Sequence, residues 1–368
     1  MRLALTELRR RPGRFIAATV ILTLISVLLM FIGGLLDGLL GASTGAYRVQ
    51  DANLIAYSST ASRSLPRSRI PTELEATIRA VPGVSAVGGL STLQVAARRE
   101  SEPRSRNLIP TVLIGYDLAP LGLGSAGPAQ GSVVADSSLR SRGVKAGDSL
   151  LLGAARVPVK VVGFIDDSRL SNQISLWGTR ATWETVARQV LPGGGGNDTV
   201  QAFVIRGPGD GSALIPALER TTEGQLEVLT IPEAINSLPG VATQRTTINQ
   251  IIGVTAFIAL VVISLFFALI TIERTPLYGV LKAIGASSTT LFVGVTAQAV
   301  TVTLVACAIA TGLSVALALL LPPGTLPFSR SLTRVLLSIG LLLFAAVVGC
   351  IFSLRRVLRI DPAAAIGD

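Results

Sequence analysis

Hydrophobic and polar positions along the chain are sharply segregated. Residues 15–36, 246–272, 283–329 and 335–354 carry no Asp, Glu, Lys or Arg, in runs of 22, 27, 47 and 20 residues. A helix crosses the hydrocarbon of a bilayer in about 20 residues, so each run is long enough to span. Between the first two runs, short β-branched stretches alternate with helical spacings. Asn53–Tyr57, Thr111–Tyr116, Val157–Ile165, Gln201–Ile205 and Leu226–Thr230 read as strands. Pro71–Val81, Trp183–Val190 and Ser212–Arg220 read as helices, with a βαβ-like unit over 201–230. The pattern predicts an α-helical integral membrane protein with four transmembrane helices, plus an extracytoplasmic α+β domain in two lobes inserted between helices 1 and 2.

The expected divisions are an interfacial N-terminal helix at 1–14, a first span at 15–36 and the inserted domain at 37–248. A second span at 249–272, a loop at 273–288 and a third span at 289–320 follow. An outer turn at 321–334, a fourth span at 335–354 and a tail at 355–368 complete the chain. Composition agrees: 49% of residues are hydrophobic, 15% are charged, and the mean hydropathy is +0.61. About a quarter of the residues of an ordinary soluble protein are charged.

Charge sets the expected orientation. Segments 1–14, 273–282 and 355–368 hold 10 basic and 4 acidic residues, whereas 37–250 holds 20 and 18. Basic residues beside spans stay in the cytoplasm, so both termini and the loop at 273–288 are expected inside, in a bacterial cytoplasmic membrane. Arg330 and Arg334 are the outer exceptions. The pI near 10.7 thus reflects membrane topology rather than a nucleic-acid-binding stripe. The first run is too long for the apolar core of a signal peptide.

Candidate chemistry is sparse. The chain has no His, and its two Cys, Cys307 and Cys350, lie in apolar runs. That excludes a Ser-His-Asp triad and the usual His and Cys metal sites. Gly41-Ala42-Ser43-Thr44-Gly45 matches G-x-S-x-G, yet nothing is present to activate Ser43. No P-loop occurs, so this chain cannot cradle a nucleotide phosphate in that manner. Gly34 and Gly38, and Gly41 and Gly45, have the spacing that lets helix backbones approach closely.

The loop Glu273-Arg274-Thr275-Pro276-Leu277-Tyr278-Gly279-Val280-Leu281-Lys282-Ala283-Ile284-Gly285-Ala286-Ser287 resembles the E-R-x-x-E-I-G-x-L-[KR]-A-[IL]-G-A signature of the FtsX/MacB superfamily of ABC transporter permeases. It departs from that signature at Leu277 and Tyr278. Asp361-Pro362-x-x-Ala365-Ile366 resembles the family's C-terminal ending, and Gly143-Val144-Lys145-Ala146-Gly147-Asp148 a stretch of its outer domain. The order of one span, a large domain and three spans is similar too. Leu3-Ala4-Leu5-x-Glu7-Leu8, Phe31–Leu35, Phe266-Phe267 and Leu326-Pro327-Phe328 resemble the HrtB-type haem-efflux permeases within that superfamily.

The resemblance implies a transport subunit that is not itself an enzyme. It implies a separate ABC ATPase, carrying ATP and Mg, docked on Glu273, Arg274, Leu277, Tyr278, Lys282 and Gly285, and a homodimer of this chain in membrane lipid. No covalently bound cofactor is expected; haem would be cargo. Without His, the candidate haem contacts are Met30, Asp37 and Tyr47 near the outer end of the first span. Phe266 and Phe267 would flank the flat ligand. The alternatives are an FtsX-like transmitter that switches an external cell-wall hydrolase, and an exporter of lipid, peptide or antibiotic.

Overall fold

A computed structural model describes residues 12–102, 107–123, 127–191, 198–273, 284, 287–320 and 332–357. The chain divides into two compact units, one of residues 1–38 with 245–368 and one of residues 39–244.

The first unit is built from helices. Helix α1 (Pro12–Arg48) starts on a proline and is 37 residues long, about 55 Å at 1.5 Å per residue. It therefore outruns the 22-residue span expected from charge alone, and residues 37–48 continue the helix into the second unit. Helices α6 (Val241–Glu273), α7 (Ser288–Leu320) and α8 (Leu332–Val357) follow the inserted domain. By length and composition four segments can cross a membrane: Ile16–Arg48, Val241–Phe266, Val293–Leu317 and Leu332–Ile351. Arg334, assigned above to an outer turn, lies in α8.

Small side chains set the packing of this unit. Ala299, Ala306 and Ala346 are fully buried, together with Ala18, Leu22 and Ile263. A second cluster joins Leu29, Ala259, Cys307 and Leu342. In lipid there is no hydrophobic drive between helices, so close backbone approach supplies the contact energy. Gly349 on α8 shows this: a Cβ there would lie 2.9 Å from Ser264 Oγ and 3.2 Å from Ile263 Cγ2. The clusters also give direction. Residues 18–22 of α1 meet 263–266 of α6, and Leu29 meets Ala259, so these two helices are antiparallel.

The second unit carries one nine-stranded sheet. Its strands are β1 (Leu54–Ser58), β3 (Ala86–Arg99), β4 (Ile109–Tyr116), β5 (Ser132–Asp136), β6 (Ser149–Leu152), β7 (Val157–Ile165), β8 (Ile174–Thr179), β10 (Ala202–Arg206) and β11 (Leu226–Thr230). Short strands β2 (Ile70–Pro71) and β9 (Thr199–Val200) pair separately. The sheet order is β11-β1-β10-β3-β4-β8-β5-β7-β6, and β6 also pairs with β3. That last pairing closes six strands into a ring. Its interior holds Leu93, Val95, Leu113, Val133, Leu150, Val159 and Leu176, with Trp183 and Val186 from helix α3 (Arg180–Val190) packed against them.

The remaining three strands, β10, β1 and β11, extend from β3 as an open antiparallel sheet. Helices α2 (Leu74–Arg79) and α4 (Ile215–Thr221) contribute Ile78 and Leu218 to one face. The opposite face packs against helix α5 (Ile231–Ser237) and against Ala46 and Tyr47 of α1. The two expected lobes are thus two halves of one sheet, joined by the 14-residue strand β3. The expected βαβ unit over 201–230 is a split one: β1 lies between β10 and β11, antiparallel to both.

Candidate functional site

The expected haem contacts fall in both units: Met30, Asp37 and Phe266 in the first, Tyr47 in the second. Met30 is 4% exposed, and its thioether accepts a hydrogen bond from Thr311 Oγ1 on α7 at 3.7 Å. Four residues earlier on α1, Ser26 Oγ stands 3.8 Å from Cys307 Sγ. Both pairs have the same sequence offset, so α1 and α7 run parallel. Thr23 and Thr303 lie along the same helices, buried, with hydroxyls that lack a hydrogen-bond partner among the described residues. This forms a polar seam through the helix unit.

Asp37 is committed elsewhere. Arg334 Nε donates to Asp37 Oδ2 at 2.9 Å and Arg334 Nη2 to Oδ1 at 2.5 Å, a two-pronged pair about a quarter exposed on each side. Gly33, one turn before Asp37, makes room for it: a Cβ at Gly33 would lie 2.7 Å from Arg334 Cδ. Neither partner was recognisable as such in the sequence, because 297 residues separate them.

Phe266 packs half-buried against Ala18, Leu22 and Ile263, toward the start of α1, whereas Asp37 lies toward its far end. Antiparallel packing of α1 and α6 is the reason that Phe266 and Asp37 lie toward opposite ends of α1. The Phe267 side chain lies outside the described residues. Of the expected ATPase contacts, Glu273 is exposed at the end of α6; Arg274, Leu277, Tyr278, Lys282 and Gly285 lie outside the described residues.

Tyr47 belongs to the second unit. It is 3% exposed, and its hydroxyl accepts from Tyr57 at 3.1 Å. Burial, with Tyr47 beside it, pushes the Tyr57 phenol well above its usual range. Here the C-terminal end of α1 is joined to the loop between β7 and β8. Ala46 N donates to Arg169 O, Ser171 N to Ser43 O and Asn172 N to Ala42 O, each at 3.0 Å. The loop thus adds main-chain bonds to Ala42, Ser43 and Ala46 of the helix. Gly45 permits the approach, since a Cβ there would overlap Asp167 O and lie 2.9 Å from Arg169 N. Gly45 thus packs against a loop rather than another helix. Gly41 has only Arg48 Nη2 at 3.4 Å, and Gly34 and Gly38 are buried. The loop adopts left-handed backbone at Asp167, Ser171 and Asn172, a conformation that Asn, Asp and small polar residues tolerate best.

Elsewhere in this unit Asp117 receives Gly89 N at 3.2 Å and stands 3.5 Å from Arg180. Burial raises its pKa, with Arg180 opposing. Among the described residues no group of three or more His, Cys, Asp or Glu is placed to hold a metal.

Residues 249–362 match the family described as FtsX-like permease C-terminal. Over those residues the chain is similar to FtsX-like ABC permeases. The matched region begins within α6 and covers the helices after the inserted domain. A Staphylococcus haemolyticus protein named as a hemin transport system permease protein, HrtB, is 22% identical over all of this chain and 99% of its own length. A Staphylococcus epidermidis HrtB is 25% identical over 39% of the chain and 40% of that protein. Among solved structures, the periplasmic region of MacB from Actinobacillus actinomycetemcomitans covers 52% of this chain and 94% of that chain, with 10% identity and a TM-score of 0.36. The extracellular domain of YknZ covers 49% and 100%, with 12% identity and a TM-score of 0.33.

Proposed function

We propose that this permease is the membrane subunit of an ATP-driven exporter whose cargo is haem or a similar membrane-partitioned amphiphile. The observation that supports it most directly is end-to-end similarity to a relative named for hemin transport. ATP is hydrolysed by a separate ABC ATPase, which docks on the loop after Glu273. Two copies of the permease pair, with both termini and that loop in the cytoplasm and the inserted domain outside.

Haem is planar and apolar over most of its surface, so it enters laterally from the bilayer and needs no aqueous channel. The chain has no His, so iron ligation is weak, which suits a cargo that has to be released. Because Met30 and Asp37 already have partners in the helix unit, haem contact at either requires a displaced arrangement of α1, α7 and α8. The test has two arms. Haemin added to the purified permease in lipid gives a saturable Soret shift, and cells lacking the gene become haemin-sensitive. If haemin binds no better than to empty lipid and the deletion strain grows normally with it, the cargo is not haem. Docking is tested separately: Gly285→Arg abolishes ATPase co-purification while leaving insertion intact, and an unchanged complex moves the docking site elsewhere.

A further inference from the structure

The root of the inserted domain contains a cleft that the export reading leaves unused. One compartment, of about 220 Å³, is lined by Tyr47, Leu65, Val112, Leu170 and Leu238 with Arg63. A second, of about 550 Å³, is lined by Ser43, Asn172, Thr243 and Gln244. Ser171, Leu238 and Pro239 line both, so the two adjoin. Neither lining contains a carboxylate.

The floor of the smaller compartment is buried and apolar. Thr92 lines it too, but its N–H and hydroxyl both donate to Gln201 Oε1, at 2.8 and 2.7 Å. Tyr47 and Arg63 keep donor capacity, beside the polar side chains of Ser64, Gln94, Ser171 and Gln173 on the same lining. Tyr47 accepts from Tyr57, which leaves its own hydroxyl hydrogen to give. Arg63 spends Nε on Glu227 at 2.6 Å, and its side chain is half exposed at the mouth. Its remaining guanidinium edge suits a carboxylate. The volume is below the roughly 300 Å³ at which drug-sized ligands begin, and holds about seven water-sized groups at ~30 Å³ each. A tetrapyrrole is too large for it.

We propose that this cleft binds a small single-chain carboxylate amphiphile. The head lies at Arg63 and Tyr47, and the alkyl chain runs along Leu65, Val112, Leu170 and Leu238. The wall carrying Leu170 and Ser171 is the same loop that is hydrogen-bonded into α1 at Ala42, Ser43 and Ala46. An occupant therefore tightens that junction, and binding is read as slower amide exchange over residues 169–172. The cleft shares Tyr47 with the expected haem contacts, and the proposal stands whether or not haem is exported.

The test uses the full chain in lipid nanodiscs and a diazirine-bearing octanoate. Photolabel should appear in peptides containing Leu65, Val112 or Leu170. Octanoate should compete it away and octylammonium should not. Arg63→Gln should weaken octanoate competition about tenfold, the loss expected for a charge-assisted hydrogen bond. Gln94→Trp, at an exposed strand position lining the mouth, should block labelling with the fold retained. Label confined to α6, α7 and α8, equal competition by octylammonium, or undiminished labelling of Gln94→Trp would each overturn the proposal.

Discussion

Replacing glycine by alanine inside a helix normally stabilises it by about 1 kcal/mol. At Gly45 the structure reverses the sign. A methyl group there would overlap Asp167 O and press on the Arg169 backbone, neither of which is the end of a flexible side chain. The loop 167–173 has to retreat, which breaks the bonds from Ala46 N, Ser171 N and Asn172 N. Three main-chain bonds at about 1 kcal/mol each, less the propensity gain, leave Gly45→Ala about 2 kcal/mol less stable. At about 2–4 °C per kcal/mol for a unit of this size, the midpoint falls by about 4–8 °C. Gly41→Ala, one turn away on the same helix, meets only the tip of Arg48 and should gain about 2–4 °C. Thermal unfolding of the two variants in matched detergent makes the comparison, with amide exchange over 167–173 locating the damage. Equal stabilisation by both substitutions would refute the close approach of α1 to this loop.

Two further outcomes follow from side-chain geometry. The Asp37–Arg334 pair is intermediate between exposed pairs, worth up to about 1 kcal/mol, and buried ones, where removing a partner costs about 3–5 kcal/mol. Asp37→Asn should therefore cost about 2 kcal/mol, a cycle with Arg334→Gln should show positive coupling, and additive losses would contradict the pairing. Thr230 and Glu233 form a reciprocal cap at the start of α5, and the hydrogen bonds from Thr230 N and Oγ1 lower the Glu233 pKa from 4.5. A lowered carboxylate pKa contributes stability above the unfolded value that is lost as pH falls through the folded one. The advantage over Glu233→Gln should shrink below about pH 4.5, and a gap that widens on acidification would contradict the cap.

The membrane architecture was readable because an uncharged run of 20 residues has few other uses. The sheet was less readable. Strand β3, which contains Gly88 and Gly89, was not among the expected strands; the glycines are there because a Cβ at Gly88 would lie 2.5 Å from Leu118 N, and one at Gly89 2.6 Å from Val200 Cγ1. The strands β6 and β8 were missed as well, being short and recognisable mainly through their partners. Helix 1 was cut at Leu36 because Asp37 ends the uncharged run, yet Arg334 neutralises that charge and the helix continues to Arg48. For the site, residue type was informative and residue grouping was not. Met, Asp, Tyr and Phe were reasonable haem contacts, but whether they meet depends on helix direction and register, which no local pattern records. Gly33 and the β7–β8 loop had no local signal: each matters only through what is packed against it.

The central claim is that ATP hydrolysed on a partner chain moves cargo through this permease. Its most direct test is haemin transfer from proteoliposomes containing the permease and its ATPase to an acceptor protein on the opposite side of the membrane. The account predicts transfer that requires ATP, stops with vanadate and is lost with Gly285→Arg although the chain still inserts. Vigorous ATP hydrolysis by the assembled complex, with haemin reaching the acceptor no faster than from protein-free vesicles, would contradict it.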